Sequence, residues 1–124
     1  MKTTCALLVV ISMPSLAAFS DPDKAARELC EMEWRITDRS ASSNENTQQI
    51  VEEEMRQFKE NSHLLSDYSI DEQDFKKVSV EGADGFRKMV VKMDTPYPGA
   101  RDFFRQRMMP LCIKNVLENL NKNS

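Results

Sequence analysis

The sequence is poor in the residues that break or specialise a fold. Its 124 residues include only 3 glycines and 5 prolines, which excludes a collagen-like or low-complexity chain. A mean hydropathy of -0.54 excludes a polytopic membrane protein, which needs repeated long apolar spans. Histidine occurs once, as His63 in the polar run Glu60-Asn61-Ser62-His63. A zinc site would therefore have to be built from carboxylates, which is uncommon, and His63 reads as a surface residue near a helix end. No phosphate-cradling glycine loop, no GxSxG and no GxGxxG is present. A basic excess is missing too: the formal charge is -3 and the pI about 5.2, against nucleic acid as a partner. No Asn-x-Ser/Thr acceptor occurs, which fits a bacterial envelope better than a glycosylated secretory route.

What is present begins with an export signal. Met1-Lys2 leads into an uncharged stretch whose densest apolar part is Cys5 to Ile11, followed by Pro14 and the small residues Ser15, Ala17 and Ala18. This is the layout of a cleavable secretory signal peptide, expected over residues 1–20, with cleavage after Ser20 favoured over cleavage after Ala17. The apolar part is too short to stay as a membrane anchor. A single domain, residues 21–124, is expected to remain, in the periplasm or outside the cell, with no stable membrane insertion.

Of the 3 cysteines, Cys5 leaves with the signal. Cys30 and Cys112 remain in an oxidising compartment and are expected to pair. Their bond would close a loop of 82 residues, and such a loop contributes on the order of 4 to 5 kcal/mol on the chain-entropy model. A redox or metal-binding pair would need a CxxC spacing or a nearby histidine.

Asp21-Pro22-Asp23 has the form of a helix start, with a capping acid, proline at the first turn and a second acid behind it. Ala26, Leu29, Cys30 and Ile36 continue at helical spacing, with Trp34 at the edge of the stripe, so a helix is expected to about Asp38. Ser40 to Asn44 reads as a linker. Ile50, Val51, Met55, Phe58 and Leu65 mark a second helix, and Ser69 with Glu72 forms a capping-box pattern for a third. Phe86, Met89, Val90 and Met93 extend the helical spacing, but Val78-Ser79-Val80 ahead of two glycines also suits a hairpin. Thr95 to Gly99, with two prolines, is expected to be a stiff loop. Beyond it Phe104, Met108, Leu111, Cys112, Val116 and Leu120 make a continuous stripe, interrupted by Pro110. The fold class is therefore all-α, a small four- or five-helix bundle stapled by one disulfide, with an α+β fold carrying a hairpin near 76–93 as the alternative.

Charge is unevenly distributed. From Asp21 to Asp74 there are 15 acids and 6 bases, and from Phe75 to the end 5 acids and 10 bases. Attraction between the two halves is one consequence, and a bipolar surface that steers a charged partner is the other. The acidic candidates are Glu52, Glu53 and Glu54, and the basic ones Arg101, Arg105 and Arg107. Asp67, Asp71, Glu72 and Asp74 cluster, but without the glycine and closing glutamate of a calcium loop. The methionines at 32, 55, 89, 93, 108 and 109 fall in phase with the apolar stripes, as core filling requires.

A small exported helical domain with no nucleophile or acid–base pair is expected to act by binding, not as an enzyme, and to need no cofactor or metal. The expected function is an inhibitor or immunity-type protein that occludes an envelope enzyme or toxin. In size and helical, disulfide-bearing make-up, though in no motif, the chain resembles periplasmic immunity proteins against peptidoglycan amidases. The contact segment is expected at Asp94 to Arg101, with Tyr97 as its aromatic anchor and Arg101, Arg105 and Glu52 to Glu54 as charged contacts. The alternative is a periplasmic stress chaperone or adaptor.

Overall fold

A computed structural model describes residues 19–122, so most of the expected signal segment lies outside the described residues. Four helices follow one another: α1 Pro22–Ser42, α2 Thr47–Asn61, α3 Glu72–Val91 and α4 Tyr97–Lys122, with a 3-10 turn Leu65–Tyr68 between α2 and α3. The chain is thus the all-helical bundle that the spacing predicts. Among the described residues, no helix is long and apolar enough to cross a membrane.

Asp21 caps α1 as expected, its carboxylate accepting from the Lys24 amide at 3.1 Å. The helix does not stop near Asp38, however. The serines read as linker turn their hydroxyls back onto the preceding turn, Ser40 to the Ile36 carbonyl and Ser43 to that of Arg39, both at 2.7 Å. With those donors satisfied locally, the polar run continues the helix instead of ending it. Asn46 caps α2 by accepting from the Gln49 amide at 3.0 Å.

The cap of α3 is Asp71, which accepts from the Asp74 amide at 3.1 Å. Ser69 instead takes a left-handed conformation, φ 60°, at the end of the 3-10 turn, so the Ser69–Glu72 capping box does not form. The hairpin alternative near 76–93 is likewise overturned. Val78, Ser79, Val80, Gly82 and Gly85 are all helical, and the helix turns Phe75 and Ala83 into the core. The expected loop Thr95 to Gly99 is shorter than predicted, since α4 begins at Tyr97 with Pro98 in its first turn, where proline's missing amide donor is harmless.

Helix α1 is the axis of the molecule. The other three all pack on it, α2 also touches α3, and α3 and α4 meet where the Phe86 ring packs on those of Tyr97 and Phe104, with little close backbone approach elsewhere. That arrangement buries α1 on several sides, which is why Met32 and Trp34, outside the expected stripe, are buried with Leu29 and Ile36. Ile50, Val51, Phe58, Leu65, Tyr68, Phe75 and Ala83 complete the core. Cys30 and Cys112 form the expected disulfide, with Cα atoms 5.9 Å apart, and it ties the middle of α1 to the middle of α4.

Candidate functional site

Tyr97, the expected exposed anchor, is only 6% exposed. Its hydroxyl donates to Asp38 at 2.8 Å, and its ring packs edge-on to Phe86 with centres 5.9 Å apart. The expectation that it projects from a loop is therefore corrected: Tyr97 fastens the start of α4 to the end of α1. Arg101 grips the same Asp38 with both Nε and Nη2, at 2.7 and 2.8 Å. Burial works to raise the Asp38 carboxyl, but the bonds from Arg101 and Tyr97 outweigh it and hold the group below its ordinary value. One turn along, Arg105 pairs with Glu31.

The acidic candidates are committed in the same way. Glu54 is buried and accepts from Arg35 at 2.8 Å and from Arg39 at 3.0 Å. Glu53 pairs with Arg39 at 2.7 Å, and Glu52 with Lys76 of α3. Hydrogen bonding from Lys76 holds the Glu52 carboxyl low, and the bond from Arg39 does the same for Glu45. Uneven charge along the chain is thus largely turned inward, α3 and α4 lending cations to acids on α1 and α2. Among the charged candidates, Asp94 and Arg107 are exposed with no hydrogen bond or ion pair among the described residues. His63 is not a plain surface residue either: it is half-buried, 3.0 Å from a Glu28 carboxylate oxygen and edge-on to Phe19.

What remains open is apolar: Leu111, expected in the stripe of the last helix, and Phe103 beside that stripe. Phe103 is 55% exposed and Leu111 59%, spaced so that Arg107 lies between them on the outer side of α4. The Arg107 guanidinium sits 4.6 Å from the centre of the Phe103 ring and, unlike Arg101 and Arg105, engages no carboxylate among the described residues. An exposed aromatic beside an uncommitted arginine on one rigid helix is a combination enriched at protein interfaces, and Leu111 adds apolar area to it. The sequence signal lies in Phe103 standing next to the stripe residue Phe104, where a side chain falls at the edge of the apolar face.

Because α3 and α4 splay apart, a cavity of about 270 Å³ opens between them against α1. Its walls include Val78, Gly82 and Phe86 from α3, Met108 from α4, and Glu33 and Trp34 from α1, beside the disulfide. Burial pushes the Glu33 carboxyl up to about 7. Trp34 is 3% exposed, and its indole N–H, buried, has no acceptor. Cys30, Glu33 and Cys112 bring ligand-type atoms within 4.8 Å of one another, but the two sulfurs are bonded to each other and offer no thiolate to a metal. No protein-family model, curated protein or solved structure matches the chain, so its function is argued from geometry alone.

Proposed function

We propose that this chain is an exported interaction protein of the inhibitor or immunity type, which docks the Phe103–Arg107–Leu111 side of α4 on an envelope enzyme or toxin. One observation carries the reading: large apolar side chains stay exposed there, on a helix pinned by the disulfide, around an arginine that has no acid of its own. A rigid helix presents such residues at low entropic cost. Arg107 calls for an acidic neighbour on the partner, and the net basic charge of the half from Phe75 onward disfavours a second copy of the same face. The disulfide suits the periplasm or the cell exterior, where such bonds persist.

Affinity capture by the disulfide-intact mature protein, compared with its Phe103→Ala/Leu111→Ala variant, tests this. The wild type is expected to retain one stoichiometric enzyme or toxin, and the variant to bind it about thirtyfold more weakly, the loss of roughly 2 kcal/mol typical of an interface anchor. Both residues are exposed, so the melting temperature should barely move. A partner held equally well by the variant refutes the assignment of this surface. A stress chaperone or adaptor is the second reading, favoured by exposed Met89 and Met108, whose flexible thioethers suit varied apolar clients. Many substoichiometric clients in the same capture would support it over the inhibitor.

A further inference from the structure

We infer that Cys30, Glu33 and Cys112 form a zinc site whenever the two cysteines are reduced, so that a metal replaces the disulfide as the link between α1 and α4. Distance is the first ground. One ligand atom from each of the three residues lies within 4.8 Å of the others, and the Cys112 Sγ stands 3.7 Å from the Glu33 Oε2. Around a tetrahedral zinc, with bonds of about 2.3 Å to sulfur and about 2.0 Å to oxygen, neighbouring ligand atoms stand about 3.5 to 3.8 Å apart. Glu33 is therefore already placed for Cys112. The two sulfurs, once unbonded, reach that separation by side-chain rotation alone, with the Cα atoms left 5.9 Å apart.

Charge is the second ground. On α1 the carboxylates of Glu28, Glu31 and Asp38 each meet a basic side chain, His63, Arg105 and Arg101 in turn. Glu33, half-buried on the same helix, has no basic partner among the described residues, and the cysteine sulfur is what its carboxylate touches. A cation held between them answers that charge. Cys30 and Glu33 stand three residues apart on one helix and so share a face, which fixes two ligands on a rigid element. Thiolates select zinc over magnesium or calcium. All three residues line the cavity of about 270 Å³, which has room for the ion and for water in the fourth position, the open arrangement of three protein ligands. On binding, each thiol gives its proton to solvent and its sulfur to the metal. An oxidising disulfide reverses this: it takes two electrons from the two sulfurs and becomes a dithiol, the Cys30–Cys112 bond forms, and zinc leaves.

The mature protein is reduced with a phosphine, which takes an oxygen from water and ends as the phosphine oxide, and is then dialysed against zinc in mildly alkaline solution. One zinc per reduced chain is expected, and none for the disulfide-intact protein. Zinc should also raise the melting temperature of the reduced protein, or restore its helicity where reduction has loosened it, because the three ligands meet only in the folded chain. Glu33→Gln keeps the side chain's size and removes its charge, and should weaken zinc binding by about tenfold or more. Cys30→Ser/Cys112→Ser should abolish it. A reduced protein that takes up no zinc overturns the proposal. So does equal uptake by Glu33→Gln, or uptake with no gain in helicity or melting temperature, since the metal is then held by an unfolded chain. The capture experiment uses the disulfide-intact protein, so a failure here is distinct from a failure of the docking surface.

Discussion

Single residues at the α1–α4 seam carry much of what holds the last helix in place. Tyr97 and Arg101 converge on one carboxylate, that of Asp38, and hydrogen bonds to a charged group are stronger than neutral ones. Tyr97→Phe keeps the packed ring and removes only the hydroxyl, so urea denaturation should register a loss of about 1 to 2 kcal/mol. An unchanged midpoint would mean that Asp38 is fully served by Arg101. Glu33 works the other way. Its folded-state value, about 7, lies above the ordinary 4.5, so the folded form is favoured while the group stays protonated. That contribution is full below pH 4.5 and is lost as pH rises to about 7. Glu33→Gln should therefore flatten the decline of thermal stability between pH 5 and 7, and a variant that declines as steeply as wild type would place the cause elsewhere.

At the scale of the helix, the sequence was legible where a side chain acts on its own neighbours and illegible where a distant partner decides. Asp21 and Pro22 announce the start of α1, and the 3.6-residue recurrence of Leu29, Cys30 and Ile36 announces its buried face. The serines from Ser40 onward were misread because a hydroxyl that bonds back to its own helix has the same composition as one in a linker. Tyr97 was misread because its burial depends on Asp38 and Phe86, neither visible from the proline-rich segment around it. The apolar stripe of α4 was found, but a stripe says which face is apolar and not what covers it. Only Tyr97 of that helix is buried; Phe86 of α3 packs on Tyr97 and Phe104, while Phe103, Met108 and Leu111 stay exposed. The functional candidates therefore moved from a loop to the outer side of α4.

Phe19 raises a related point about where α1 is supported. Its ring centre lies 4.5 Å from that of Tyr68 and 4.8 Å from that of His63. Such aromatic pairs contribute about 0.5 to 1.5 kcal/mol beyond area burial. A mature chain that starts at Ala18 keeps this residue, and one that starts at Asp21 loses it. The first should melt about 4 to 8 °C above the second, the shift that about 1 kcal/mol gives in a domain of this size. Calorimetry of the two purified forms checks it, and equal melting temperatures would show that Phe19 adds nothing to the core.

Across the whole molecule, ion pairs link stability to acid, those of Asp38 with Arg101 and Glu52 with Lys76 joining the two halves and that of Glu45 with Arg39 lying within the acidic one. Asp38, Glu45 and Glu52 all have folded values below their ordinary ones. Their contribution is present above the unfolded carboxylate range, about pH 4, and is lost as pH falls through the lower folded values. Together with Glu33 this predicts a stability maximum in mildly acidic solution and unfolding on the strongly acid side. Melts from pH 2 to 8 should trace that dome, and a profile that rises steadily to pH 8 would contradict it.

The bond between Cys30 and Cys112 also makes most of the chain a closed ring with two short tails. The connectors at 43–46, 62–71 and 92–96, which are where a protease would first find purchase, all lie inside that ring. A single nick at any of them opens the ring and releases no fragment. α4 stays attached to α1 after the cut, so the bundle keeps its last helix through damage that would strip an unbridged bundle of it.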